Sequence, residues 1–186
     1  MAKRELPSPE MLRQLLRYEP ETGKLFWKER GIEWFKDGSK SAAHNCAVWN
    51  SRYADQEAMI AISSNGYRVG AIMDHKYLAH RIIMAMQFGE WPTQEVDHIN
   101  RDKLDNRLQN LRLASRSENA RNTRAHNDSA SGLKGVMWHP SRSKWRAKIM
   151  VHGKAVCLGL FATRHQAFDA YCRASAELHG DFGSVK

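Results

Sequence analysis

A chain of 186 residues has room for one ordinary domain or two small ones. Its three cysteines, Cys46, Cys157 and Cys172, are too few and too scattered to staple either. They form no C-x-x-C pair, so neither disulfides nor a zinc ribbon is expected. No run of about 18 apolar residues occurs, and Met1-Ala2-Lys3-Arg4 leads into polar sequence, which predicts a soluble intracellular protein with no membrane partner. The net charge of +9 is unevenly placed: +2 over residues 1–94, +2 over 95–126, −1 over 127–131 and +6 over 132–186. The last stretch has the electrostatic footprint of a surface that meets a polyanion.

In chain order, Ser8-Pro9-Glu10 is a helix start, with serine as cap and proline at the first helical position. Leu12, Leu15 and Leu16 give that helix a short apolar stripe, and it is expected to end near Tyr18. Glu21-Thr22-Gly23 reads as a turn and Lys24 to Lys28 as the first strand of a small hairpin. Residues 29–62 show no clear periodicity, and Trp34, Phe35 and Trp49 are read as cover for the core rather than as stacking platforms. Tyr67 to Ile72 is a second strand, Asp74-His75 a turn and Lys76 to Leu78 a third. Ala79 to Phe88 carries Ile82, Ile83, Met86 and Phe88 around a short helix that stops at Gly89 and Trp91-Pro92.

Val96 to Ile99 then alternates apolar and polar like a strand, Arg101 to Arg107 is a polar Asp/Asn-rich loop, and Leu108 to Leu113 reads as the return strand. Ser115-Arg116-Ser117-Glu118 is a capping box, so a helix should start at Ser115. A strand, loop, strand, helix unit of this kind can bring Asp97 and His98 against Asn119. Asp97 and the Asn119 side-chain oxygen suit Mg²⁺, or Mn²⁺, as hard oxygen donors. His98 suits a general base, since a neutral imidazole accepts a proton near pH 7. Together they fit phosphodiester hydrolysis.

The set Ala79-His80-Arg81, Val96-Asp97-His98-Ile99-Asn100, Asp105-Asn106-Arg107, Asn110-Leu111-Arg112 and Asn119 resembles the HNH (ββα-metal) nuclease family in its phage and homing form. The resemblance implies Asp97 and Asn119 as metal ligands and His98 as general base. It implies that Asn110 hydrogen-bonds the loop backbone and so holds His98. Many relatives place histidine at the last position, and Asn119 departs from them toward a hard cation. His80 either helps shape the site or is a structural histidine at a helix start. Leu16-Arg17-Tyr18, Thr22-Gly23 and Phe26-Trp27 loosely resemble the leader that precedes this motif in phage HNH proteins, with no chemistry assigned to them.

Asn127 to Ser131 is a tract of small polar residues and reads as a linker. Gly135 to His139 is expected to be a strand. Lys144-Trp145-Arg146-Ala147-Lys148-Ile149 alternates strictly, one face basic and the other apolar. His152-Gly153 is a two-residue hairpin turn, and Val156 to Phe161 the partner strand. Thr163-Arg164-His165-Gln166 is a second capping box, before a helix with Ala167, Tyr171, Ala174 and Leu178 on one stripe.

Lys134-Gly135-Val136, Lys144 to Ile149, Leu158-Gly159-Leu160-Phe161, Thr163, Ala167, Ala170-Tyr171 and Ala174 resemble the plant ethylene-response-factor (APETALA-type) DNA-binding domain, over about residues 132–182. That resemblance implies a sheet lying in the major groove. The DNA-binding candidates are Lys134, His139, Arg142, Lys144, Arg146, Lys148 and Lys154. Met137, Met150 and Cys157 stand where plant members tend to have arginine or tryptophan, so the base preference of that family does not transfer.

The expected fold class is α+β: a small N-terminal α+β segment leading into a ββα-metal unit, then a three-stranded antiparallel sheet packed on one helix. The expected domains are a nuclease domain at 1–126 with its core at about 95–124, a linker at 127–131, and a DNA-binding domain at 132–186. The expected function is a metal-dependent endonuclease of phage or homing type acting on double-stranded DNA, located in the cytoplasm of a bacterial host if phage-encoded. The rival from another class is a non-catalytic DNA-binding transcriptional regulator, against which the intact set of Asp97, His98, Asn110 and Asn119 argues. An RNA-directed role lacks the outward aromatic signature that stacking on single strands requires.

Overall fold

The computed structural model describes residues 5–122 and 131–183. Most of the expected linker, 127–130, lies outside them. The chain forms two compact units, Met1–Leu113 and Ala114–Lys186, and its class is α+β. No described helix is long and apolar enough to cross a membrane.

In the first unit, α1 spans Pro9–Leu15, capped by the Ser8 hydroxyl, which accepts from the Met11 N–H at 3.1 Å. The helix does not reach Tyr18. Leu16–Glu19 is extended as β1, because it pairs with β2, Lys24–Trp27, in the register Leu16↔Trp27 to Glu19↔Lys24. Lys24 to Trp27 is therefore the second strand of the hairpin rather than the first. Tertiary pairing of a four-residue strand outweighs the weak helical preference of its residues. Glu57–Ala58, β3, adds to the other edge of β2.

Residues 42–53 form a helix that periodicity did not disclose: α2, Ala42–Tyr53, capped by Ser41 and without a fully buried residue. Its attachment is aromatic and through the Arg30 backbone, whose N–H donates to Asn50 Oδ1 at 3.0 Å and whose carbonyl accepts from Asn50 Nδ2 at 2.9 Å. Trp49 stands edge-on to Trp27, with centroids 5.8 Å apart, and the Arg30 guanidinium lies 3.8 Å above the Trp49 ring. Trp34 packs on the main core as expected.

A second small sheet has the order β4 (Ala61–Ile62), β5 (Arg68–Ile72), β6 (His75–Leu78). The turn between β5 and β6 is Met73-Asp74, both at positive φ, so His75 belongs to the strand. Helix α3, Ala79–Phe88, buries Ile82, Ile83, Ala85 and Met86 against Leu12, Leu15, Leu16 and Leu25. Each such aliphatic side chain contributes about 1.5–3 kcal/mol by leaving water. Phe88 is left exposed at the end of α3. The last turn of α3 is closed by Arg13, whose Nε and Nη2 both donate to the Met86 carbonyl.

Strands β7, Glu95–His98, and β8, Leu111–Ala114, form a two-stranded sheet. The expected return strand is shorter than 108–113, because Leu108–Asn110 is a 3-10 turn in which the Asn110 N–H donates to the Arg107 carbonyl at 2.8 Å.

In the second unit, α4, Arg116–Arg121, starts at the Ser115/Glu118 capping box. A three-stranded antiparallel sheet follows, ordered β11 (Lys154–Phe161), β10 (Lys144–Val151), β9 (Val136–His139). His152 and Gly153, both at positive φ, make the tight turn between β10 and β11. Helix α5, Arg164–His179, carries the Thr163/Gln166 capping box and packs behind the sheet. The small core is Val136, Ala147 and Ala167, with Trp145, Leu158, Phe161 and Phe168 against it. The inward stripe of α5 is Ala167, Tyr171 and Ser175, spaced by four; Leu178, expected on it, is exposed. Gly135 marks the tightest approach: a Cβ there would lie 2.2 Å from the Tyr171 ring and 2.7 Å from the Lys148 carbonyl oxygen.

Candidate active site

The end of β7 presents two adjacent polar side chains that are both buried, Asp97 at 5 % exposure and His98 at 3 %. Buried polar groups cost free energy unless they are paired, and each has specific partners. Asp97 Oδ2 accepts from Arg112 Nε at 2.9 Å and Nη2 at 2.8 Å, from the neighbouring strand β8. This two-pronged interaction holds the carboxylate in one orientation. Arg112 belongs to the family-like motif, yet residue types alone assigned it no role. Its signal was present: opposite charges at Asp97 and Arg112 on the two strands of one small sheet.

His98 Nε2 lies 2.9 Å from Asn106 Oδ1. The ring is flanked by His80, edge-on at 5.1 Å between centroids, and by Tyr67 at 5.8 Å. His80, in the first turn of α3, is 4 % exposed and is held down at about 3 by burial, then by the neighbouring His98 and Arg81. It is a neutral imidazole whose Nδ1 has no hydrogen-bond partner. Burial also raises Tyr67, assisted by the Asp97 and Glu95 carboxylates.

The loop from Ile99 to Asn110 is tied across its ends by Asn110. The Asn110 carbonyl accepts from the Ile99 N–H at 2.9 Å and its Oδ1 from the Asn100 N–H at 2.9 Å, while Nδ2 donates to the Asp105 carbonyl at 2.7 Å. Within the loop, Asp105 receives Arg107 Nε and Nη2, both at 2.7 Å, and Asn100 Nδ2 at 2.8 Å. The Arg107 hydrogen bonds are the main reason that Asp105 is held down at about 2. Lys103 closes the outer side, donating to the Asn65 carbonyl at 2.8 Å with its ammonium 4.7 Å from the Tyr67 ring centroid.

A small hard cation takes one or two protein oxygens and completes its shell with water and phosphate oxygens. Asp97 supplies carboxylate oxygen of that kind, with Oδ2 already accepting from Arg112. No group of three or more His, Cys, Asp or Glu side chains that could hold a metal occurs among the described residues. Asn119, the other ligand expected from the sequence, is a half-buried residue of α4 in the second unit.

The candidates for nucleic-acid binding lie on or beside the second unit's sheet. Lys144, Arg146 and Lys148 alternate along β10 with Trp145, Ala147 and Ile149, the last two of which are buried. Across the sheet Lys144 faces His139, Arg146 faces Met137 and Leu160, and Lys148 faces Cys157 after a register shift between Ala147 and Lys148. Arg146 Nη2 reaches Met137 Sδ at 2.8 Å, so its stem lies along the outer face. Arg142 is exposed on the 3-10 turn Pro140–Arg142, and Lys154 is exposed at the start of β11. Lys134, half-buried before β9, lines a cleft of about 440 Å³ with Lys148, Met150 and His152.

Residues 77–121 match the model of a family described as HNH endonuclease. Protein 3.8 of Escherichia phage T7 is 36 % identical over 93 residues, which is 49 % of this chain and 74 % of that protein. An uncharacterized HNH endonuclease of Acanthamoeba polyphaga mimivirus is 30 % identical over 119 residues, 63 % of this chain and 59 % of that protein. No solved structure matches. The matched segment contains β7, the loop, β8 and α4, the elements that carry Asp97, His98, Asn110 and Asn119, and residues 77–121 are an HNH endonuclease domain.

Proposed function

We propose that the chain is a metal-dependent DNA endonuclease of the phage and homing type, with His98 as general base, Asp97 and Asn119 as oxygen ligands, and Asn110 as the clamp of the loop. The observation that carries this reading is the buried Asp97-His98 pair at the end of β7, with each side chain held by its own polar partner. When bound, Mg²⁺ or Mn²⁺ would stabilise charge on the phosphate and on the leaving oxygen. In the hydrolysis a water oxygen forms a bond to phosphorus, the bond from phosphorus to the leaving sugar oxygen breaks, and the water proton passes to His98. Burial among Tyr67, His80 and the loop restricts the imidazole to one orientation, which a base must keep through the reaction.

In this reading the domain at 132–186 brings the nuclease to double-stranded DNA. Lys134, His139, Arg142, Lys144, Arg146, Lys148 and Lys154 engage it, mostly at phosphates, so that affinity falls as salt rises. The support is a basic row on the face of β10 opposite the core, in a segment of net charge +6.

The test is conversion of supercoiled plasmid to open-circle or linear product with Mg²⁺ and with a chelator. His98→Ala is expected to lower the rate by about 10²–10⁴-fold while gel-shift affinity for the same DNA stays unchanged. Wild-type-like cleavage by that variant would remove His98 from the mechanism.

A further inference from the structure

The loop carries one buried polar side chain that the proposed mechanism does not use. Asn106 is 0 % exposed, and its Oδ1 lies 2.9 Å from His98 Nε2. An amide oxygen only accepts, so with this hydrogen bond made the Nε2 position carries the hydrogen. A neutral imidazole has one N–H, and the basic lone pair is then at Nδ1. The other half of the amide is less well served: Nδ2 of Asn106 is buried without a hydrogen-bond partner. Leaving a buried donor unmet lowers stability. A residue kept only for packing would avoid that cost with an apolar side chain of similar volume.

Asn106 is in turn held by the N-terminal hairpin, far away in sequence. The Tyr18 hydroxyl of β1 donates to the Asn106 carbonyl at 3.2 Å and accepts from the Leu108 N–H at 2.9 Å, bridging both sides of the Asn106–Leu108 segment. Gly23, at φ +71°, turns the chain between β1 and β2 directly against the same backbone. A Cβ on Gly23 would lie 2.6 Å from the Asn106 carbonyl carbon and 2.5 Å from the Arg107 nitrogen. Tyr18 and Gly23 are two of the leader residues to which the sequence assigned no chemistry.

We infer that Asn106 is a positioning residue that selects Nδ1 of His98 as the proton-accepting nitrogen, and that the β1–β2 hairpin, through Tyr18 and Gly23, holds Asn106 in place to do so. The inference rests on His98 being the base. It makes the hairpin part of the catalytic device rather than an appendage to it. Partners of this kind, one bond removed from the reacting group, typically change activity by about 10–100-fold when removed.

The experiment uses the full chain, free of metal, with ¹⁵N-labelled histidine at pH 8. The His98 ring nitrogens are assigned by comparison with His98→Ala. The wild-type spectrum is expected to show His98 protonated at Nε2. Asn106→Ala is expected to lose that preference and to lower kcat for plasmid nicking by about 10–100-fold with KM unchanged, while Asn106→Asp, which keeps an acceptor, retains the Nε2–H form. Tyr18→Phe removes a single hydroxyl and should shift both readouts in the same direction by less.

A wild-type His98 protonated at Nδ1, or a folded Asn106→Ala that keeps the wild-type form, overturns the inference. If Asn106→Ala does not fold, Tyr18→Phe decides, and an unchanged spectrum with unchanged kcat overturns it. Failure of the base role and failure of the positioning role look different. A chain with the Nε2–H form that never nicks DNA overturns the base role and the catalytic part of this inference with it. A chain that nicks with His98 in the Nδ1–H form overturns the positioning alone.

Discussion

The first unit packs long aliphatic side chains from α1, β1, β2 and α3 and then buries polar residues against them: His80, Asp97, His98, Asn106 and Asn110. The second unit rests on a core of Val136, Ala147 and Ala167 with aromatic cover, and its sheet presents an outer row in which lysine and arginine stand beside methionine, leucine and cysteine. In the proposed function the difference corresponds to two kinds of work. Holding a carboxylate and an imidazole at fixed orientation requires a dry, rigid surround and polar partners that fix those two groups. Attraction to a polyanion requires charge at a surface and little internal order.

The largest expected effect tests the polar interior of the first unit. Arg112→Ala leaves the buried Asp97 carboxylate without its guanidinium and should lower stability by about 3–5 kcal/mol, read by urea denaturation in chelator. A decrease of less than about 1 kcal/mol, the size of an exposed ion pair, would mean that the Asp97–Arg112 pair is no part of what holds β7 to β8.

Next in size is acid, which should separate the two units. The folded-state pKa of His80, about 3, lies below its ordinary 6.5, and that of Asp105, about 2, lies below its ordinary 3.8. Both shifts are downward, so the unfolded chain binds more protons. Stability contributed by neutral His80 is then lost as pH falls from about 6.5 toward 3, and that contributed by ionised Asp105 from about 3.8 toward 2. Both groups are in the first unit; among the described residues of the second, Tyr171 and Cys172 are raised by burial and titrate only in alkali. Denaturation followed at the methyl groups of Ile82 and Ile149 by NMR, at pH 7, 5 and 4, should show the first unit weakening and the second holding. Parallel weakening of both would break the contrast.

The smallest effect concerns the sheet face. Arg146→Glu with Lys148→Glu should weaken DNA binding without altering the fold, and should reduce the slope of log affinity against log salt by about 1 for each phosphate no longer engaged. Gel shifts at several salt concentrations measure this. An unchanged slope would move the DNA-binding surface elsewhere.

Local signals carried much of the architecture. Ser8, Ser115 and Thr163 are caps whose partners lie within three residues, so α1, α4 and α5 begin where sequence alone places them. Strict alternation placed β10, and His152-Gly153 placed its turn. Sequence alone carries α1 past Leu15 because Leu16 continues its apolar stripe, and only pairing with Lys24–Trp27 makes that residue a strand. Helix α2 gives no periodic signal because it buries no complete face and attaches through Trp49 and Arg30.

In the site, residue identities and spacing by themselves determined a family-like set of candidates: Asp97, His98, Asn110 and Asn119. Tertiary structure decided what those side chains meet. Arg112 on Asp97, Asn106 on His98, His80 and Tyr67 around the ring, and Tyr18 and Gly23 behind Asn106 are pairings between segments as many as 90 residues apart. The physical reason is range. Capping and alternation are set by neighbours along the chain, whereas the partner of a buried polar atom is whatever folding brings within about 3 Å of it.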